Sequence, residues 1–203
     1  MMSRVFGLCA IFMCGATVLG CADGDVNDAV GGTTAPTSSV APSMVVTVPP
    51  PPVQTGPKQV RLDPCTRLGD DIVTRIGFDP ATRARSGGIV TESLTTIGCD
   101  FLRNEDVRGE KVPVGLLTVR SSTRTIDEVR ADKSFPVVAN EVIGGLGAAV
   151  YQLPQAPQTC AIAIKSKDGT LDINLLNSSN NASNVCDEVT TIARSIVVIL
   201  DGT

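Results

Sequence analysis

The residues with the most specific chemistry in this 203-residue chain stand near its start, in Val18-Leu19-Gly20-Cys21. An aliphatic residue three places before a cysteine, with a small residue directly before it, is the pattern at which a bacterial lipoprotein precursor is modified and cut. The Cys21 thiol is expected to take a diacylglyceryl group with acyl chains of the palmitate type. Cleavage after Gly20 would then leave Cys21 as the new N-terminus. Arg4 and the free amine make a positive start, and 5–19 carries no charge. That stretch is shorter than the roughly 20 apolar residues a helix needs to cross the hydrocarbon core, so it reads as a removable signal peptide over 1–20. An ordinary secretory signal before an unmodified cysteine is the competing reading; charge, length, cysteine position and the segment that follows all favour lipidation. Two acyl chains, at about 0.8 kcal/mol per buried methylene, give stable anchoring where one is marginal. The expected address is the outer, extracytoplasmic face of the cell membrane.

Of the seven cysteines, Cys9 and Cys14 fall in the signal, which leaves Cys65, Cys99, Cys160 and Cys186. In an oxidising compartment four cysteines suggest two disulfides, with three possible pairings. Cys65 with Cys99 and Cys160 with Cys186 is the preferred set, because each bridge ties a helix end to a strand. Each would stabilise by about 3–4 kcal/mol in the chain-entropy model. A four-cysteine zinc site competes, but no C-x-x-C spacing supports it. No metal or cofactor is expected.

The inventory for catalysis is thin. The chain has no histidine, no tryptophan and one tyrosine, Tyr151, so the usual general base is missing. No G-x-S-x-G or S-x-x-K arrangement activates a serine. Asp70 and Asp71 are candidates for an acid and base pair, but both sit where a helix would begin and there favour its dipole. Gly144-Gly145-Leu146-Gly147 lacks the lysine and hydroxyl of a phosphate-binding loop and reads as a turn before a strand over 148–153. The sequons at Asn177 and Asn181 read as part of an exposed asparagine-rich loop. All but one of the 17 basic residues and all but three of the 21 acidic ones lie from Lys58 onward, so no basic excess points to nucleic acid.

The elements that must position these residues begin at about Lys58. Residues 21–57 are rich in Gly, Ser, Thr, Pro and Ala and include four prolines at 49–52. They read as a disordered tether, about 110 Å long if polyproline-like. A strand at 45–48 is disfavoured by the prolines that follow. Leu68, Ile72, Val73 and Ile76 recur at helical spacing and stop at Gly77. The segments 98–102 and 112–119 read as strands. Thr125-Ile126-Asp127-Glu128 is a capping box that starts a helix to about Lys133. Asp168-Gly169 predicts a hairpin with Ile164 opposite Ile173, Ile162 opposite Leu175 and Lys165 opposite Asp172. Cys186, Val189, Ile192, Ala193, Ile196 and Val197 make the apolar stripe of a last helix, with Asp187 and Glu188 in its first turn. The expected architecture over 58–203 is α+β, a mostly antiparallel sheet with helices packed on one side.

In order and spacing, the lipobox, the Pro-rich tether, Asp63-Pro64-Cys65, Cys99, Gly145-Leu146-Gly147-Ala148-Ala149, Cys160-Ala161-Ile162-Ala163-Ile164 and Cys186 resemble one known group. It is the actinobacterial lipoproteins catalogued as domain of unknown function 3558. The resemblance implies a cell-envelope lipoprotein and names no activity. The expectation is a non-enzymatic module that binds an envelope ligand or protein partner. The alternative is an envelope hydrolase or transferase using carboxylates or a metal.

Overall fold

The computed structural model describes residues 42–152, 155–179 and 184–200. The signal peptide, the Gly20/Cys21 junction and tether residues 22–41 lie outside the described residues. The strands are β1 (Asp79–Val90), β2 (Thr95–Val107), β3 (Glu110–Ser122), β4 (Val137–Ile143), β5 (Leu146–Tyr151), β6 (Thr159–Lys165) and β7 (Thr170–Asn177). The helices are α1 (Pro64–Arg67), α2 (Asp70–Arg75), α3 (Ile126–Ala131) and α4 (Val185–Ile196), the last running into a 3-10 turn over Val197–Leu200. All seven strands form one antiparallel sheet, ordered β1-β2-β3-β7-β6-β5-β4. β1 to β3 form one meander, and β4 to β7 a second that runs back until β7 docks beside β3. The protein is therefore mostly β, an antiparallel sheet with a few helices.

Helix α4 lays Val189, Ile192, Ala193 and Ile196 over Ile162, Ile164, Ile173 and Leu175. Helix α3 packs elsewhere: its Ile126 and Val129 cover Ala149 and Ala163, which alternate with the residues under α4 and so face the other way. The expectation of helices on one side is corrected here. β6 is buried along nearly its whole length, from Cys160 to Ile164, and a strand apolar on both faces needs cover on both.

The helical spacing from Leu68 to Ile76 belongs to two short helices. Asp63 caps α1 by accepting from the Cys65 N–H at 3.0 Å, with Pro64 in the first helical position. The chain leaves the helix at Leu68 (ψ 104°), whose side chain is fully buried, and α2 starts after Gly69. One bridge ties α1 to β2 through Cys65 and Cys99, with Cα atoms 4.9 Å apart. The other ties β6 to α4 through Cys160 and Cys186, at 5.2 Å.

The hairpin of β6 and β7 pairs Ile164 with Leu171, Ile162 with Ile173 and Ala163 with Asp172. The expected register is thus off by two residues, because the turn is longer than Asp168-Gly169. Lys165 pairs with Thr170 across a four-residue loop in which the Ser166 N–H donates to the Gly169 carbonyl at 2.9 Å. A slip of two keeps every side chain on its own face, so the apolar pattern survived while the partners changed.

Residues 42–57, read from the sequence as disordered tether, lie along the domain. The Val45 N–H donates to Asp70 at 2.6 Å, Arg85 donates to the Pro49 carbonyl at 2.9 Å, and Val48 packs on the core. Gln54 bonds both backbone groups of Val60. A Pro-rich extended segment makes no internal ladder, so its backbone groups are open to partners from the domain. No strand forms at 45–48.

Candidate functional site

The end of the sheet where β6 turns into β7 holds two hollows, each of about 480 Å³. One glycine shapes this end. A Cβ on Gly169 (φ +145°) would lie 2.4 Å from the Ser122 carbonyl oxygen and 2.6 Å from that of Arg124, so the loop can approach the end of β3 only without a side chain there. Lys165 and Lys167 line both hollows. Neither ammonium group makes a hydrogen bond or ion pair with a described residue. Lys58, Thr123 and Thr125 add to the first hollow, with Asp127 and Asp168. The second is bounded by Gly144, Gly145, Leu146, Gly147 and Leu200 and has no acidic residue among its described lining. The adjacent Asp168 carboxylate is committed to Arg61, taking its Nη2 at 2.6 Å, its Nε at 2.9 Å and its backbone N–H at 2.7 Å. Burial pushes Asp168 upward, but these bonds outweigh it and hold the carboxyl below its usual range.

A second concentration of polar groups lies on the sheet face opposite α4. Arg120, Asp172 and Ala163 are cross-strand neighbours there, and Gly98 and Ser86 continue the row onto β2 and β1. Asp172 accepts from Thr170 Oγ1 at 3.0 Å, and Tyr151 faces it across β6, close enough for each to influence the other's titration. The small side chains of Ala161 and Ala163 on the intervening β6 leave room for that approach. Burial pushes Asp172 up to about 6, against the pull of Thr170, Arg124, Arg120 and Tyr151. Burial, with the charge of Asp172, raises Tyr151 well above its ordinary value. Asp172 lines neither hollow. Asp100 points to the same face but from two strands away and two residues further along, about 12 Å off.

Residues 16–198 match the model of a family of proteins of unknown function, DUF3558. The chain belongs to DUF3558. No curated protein and no solved structure matches it. The matched span includes Cys21, the four bridging cysteines and all the residues of both hollows except Leu200.

For this DUF3558 chain, the residues singled out by spacing have the following places. The lipidation site Cys21 and the cleavage residue Gly20 lie outside the described residues. Cys65, Cys99, Cys160 and Cys186 are joined in pairs and present no thiolate to a metal. Among the described residues no group of three or more His, Cys, Asp or Glu is placed to hold a metal ion, and no helix is long and apolar enough to cross a membrane. Asp70 and Asp71 diverge: Asp70 takes Arg83 at 2.6 Å, while Asp71 pairs with Arg75 at 3.2 Å on the surface. Gly144 (φ 57°) and Gly145 (φ 80°) form the β4–β5 turn. Asn177 is buried, 5 % exposed, and donates to Glu188 at 2.7 Å, so it does not belong to an exposed loop. Sequence reading placed Lys165 opposite Asp172 and so missed both groupings. The unusual sign was an aspartate inside the β7 apolar alternation.

Proposed function

We propose that this DUF3558 protein is a lipoprotein anchored at the outer face of the cell membrane by a lipid on Cys21, where its domain acts as a non-enzymatic binding module. The carrying observation is the pair of hollows at the β6–β7 turn with Lys165 and Lys167 between them, uncommitted to other described residues. Each hollow is within the range of small-ligand sites, about 300–1,000 Å³. Support for the address comes from the family match, which begins at residue 16 and takes in the Val18–Cys21 pattern together with the domain. The polar face does not compete as a catalytic centre, because among the described residues no second carboxylate converges on Asp172 and its raised pKa follows from burial.

The test is recovery of the full-length protein from detergent-solubilised envelope, followed by intact and native mass spectrometry. The polypeptide should begin at a diacylglyceryl-modified Cys21 and carry a non-covalent small molecule or partner. Cys21→Ala should leave the detergent phase or remain an uncleaved precursor. Unchanged detergent partitioning of that variant would sink the lipidation reading, and hydrolysis of an envelope substrate that is lost in Asp172→Asn would sink the non-enzymatic one.

A further inference from the structure

We propose that the hollow between the Gly144-Gly145 turn and the 166–169 turn is an anion site for an organic phosphate, a reading that rests on the binding function above. Its lining combines two ammonium groups, Lys165 and Lys167, with the Ser166 hydroxyl, glycine backbone, and the apolar Leu146 and Leu200. Among the described residues no carboxylate shares it, although the chain as a whole carries a net charge of −4. Asp168, which follows Lys167 in the turn, is held by three bonds from Arg61. The neighbouring hollow gains Lys58 but also Asp127 and Asp168, so the hollow lined by no described acid is the better seat for a negative ligand.

Two like charges held at one short turn with no ion partner among the described residues repel each other, and a bound anion relieves that repulsion. At Gly145 a Cβ would meet nothing within 4 Å, so its backbone is open to a ligand. A volume of about 480 Å³ exceeds what a bare ion fills, and the two leucines fit the carbon substituent of a phosphate ester. Lysine point charges recognise phosphate without demanding a fixed planar geometry. The ester could come from a lipid headgroup or from a soluble metabolite; the recognising chemistry is the same.

The experiment uses the lipidated full chain in neutral detergent micelles, titrated with inorganic phosphate, glycerol 3-phosphate and dihexanoylphosphatidylglycerol and followed by calorimetry. At least one of the two esters should bind more tightly than inorganic phosphate. Raising salt from 0.05 to about 0.5 M should weaken it, since exposed charges are screened within a few ångströms at high salt. Lys165→Gln with Lys167→Gln should weaken ester binding at least about tenfold while the unliganded melting temperature stays put, whereas Lys133→Gln, two residues past the end of α3 and lining neither hollow, should change neither. Preference for the phosphatidylglycerol assigns a lipid source, and preference for glycerol 3-phosphate a soluble one. No binding by any probe at millimolar concentration, or equal binding by the double variant, overturns the anion site. If a neutral ligand co-purifies and is indifferent to the lysines, the anion site falls while the binding module stands; if no ligand or partner is recovered, both fall.

Discussion

Arg83, with a fully buried side chain, donates through Nη2 to Asp70 Oδ1 at 2.6 Å and through Nη1 to the Cys65 carbonyl at 3.0 Å. Its guanidinium also stands 5.0 Å from the centre of the Phe101 ring. One cation thus joins β1, both N-terminal helices and the centre of β2. Asp70→Ala would leave that cation buried without its counter-ion and should cost about 3–5 kcal/mol. Urea unfolding of the variant should show a lower midpoint with little change in slope, and Asp71→Ala, whose Arg75 partner is exposed, should stay within about 0.5 kcal/mol.

Asp172 makes stability depend on pH in the direction opposite to that of a salt-bridged carboxylate. Its folded pKa, about 6, lies above the ordinary 3.8, so the folded state binds the proton more tightly than the unfolded one. The contribution is full below about pH 4 and is lost as pH rises through 6. Asp172→Asn should remove this slope and stabilise the domain near pH 7 by about 1–3 kcal/mol. Thermal melts of both proteins at pH 4, 6 and 8 test it; identical pH profiles would show that Asp172 is not the group responsible.

The bridge between Cys160 and Cys186 clamps α4 to β6. Cys160→Ala with Cys186→Ala should lower stability by about 2–5 kcal/mol, a large share of the 5–15 kcal/mol typical of a domain. Non-reducing proteolysis and mass spectrometry should recover one fragment pair joining these two and another joining Cys65 to Cys99. Four free thiols in protein taken from the envelope would overturn the pairing.

Gly169→Ala should be costly for two reasons acting together, the φ of +145° and a Cβ placed 2.4 Å from the Ser122 carbonyl. A loss of more than about 2 kcal/mol is expected. In Gly109→Ala the strain of φ +86° remains but nothing stands within 4 Å of the new Cβ, so its loss should be smaller. Chemical denaturation of the two variants side by side separates crowding from backbone strain; equal losses would show that the close approach to β3 carries no weight.

Local chemistry alone was enough for several features. The capping box from Thr125 to Glu128 appears with both of its bonds, because it depends on residues three apart. The stripe of α4 points into the core because its period is that of the helix. Membership in DUF3558 was legible from the order of short motifs along the chain. Other features required strands to meet. The two edge strands carry little local signal: β1 is polar and broken by two irregularities, and β4 buries fully only Ile143, so each becomes a strand by pairing with its neighbour. The register of β6 on β7 was decided by the end of β3, whose backbone crowds Gly169 and sets a four-residue turn. The second helical layer was decided by Ala149 and Ala163, small enough to look neutral in the sequence but buried once side by side. The hollows between the turns and the burial of Asp172 belong to that same class. Lys165, Lys167, Gly144 and Leu200 are separated along the chain, and only the sheet and the final 3-10 turn bring them to one end of the molecule. Spacing along a chain specifies what a residue's near neighbours can do with it, whereas the desolvation and charge of a site depend on residues that long-range pairing assembles.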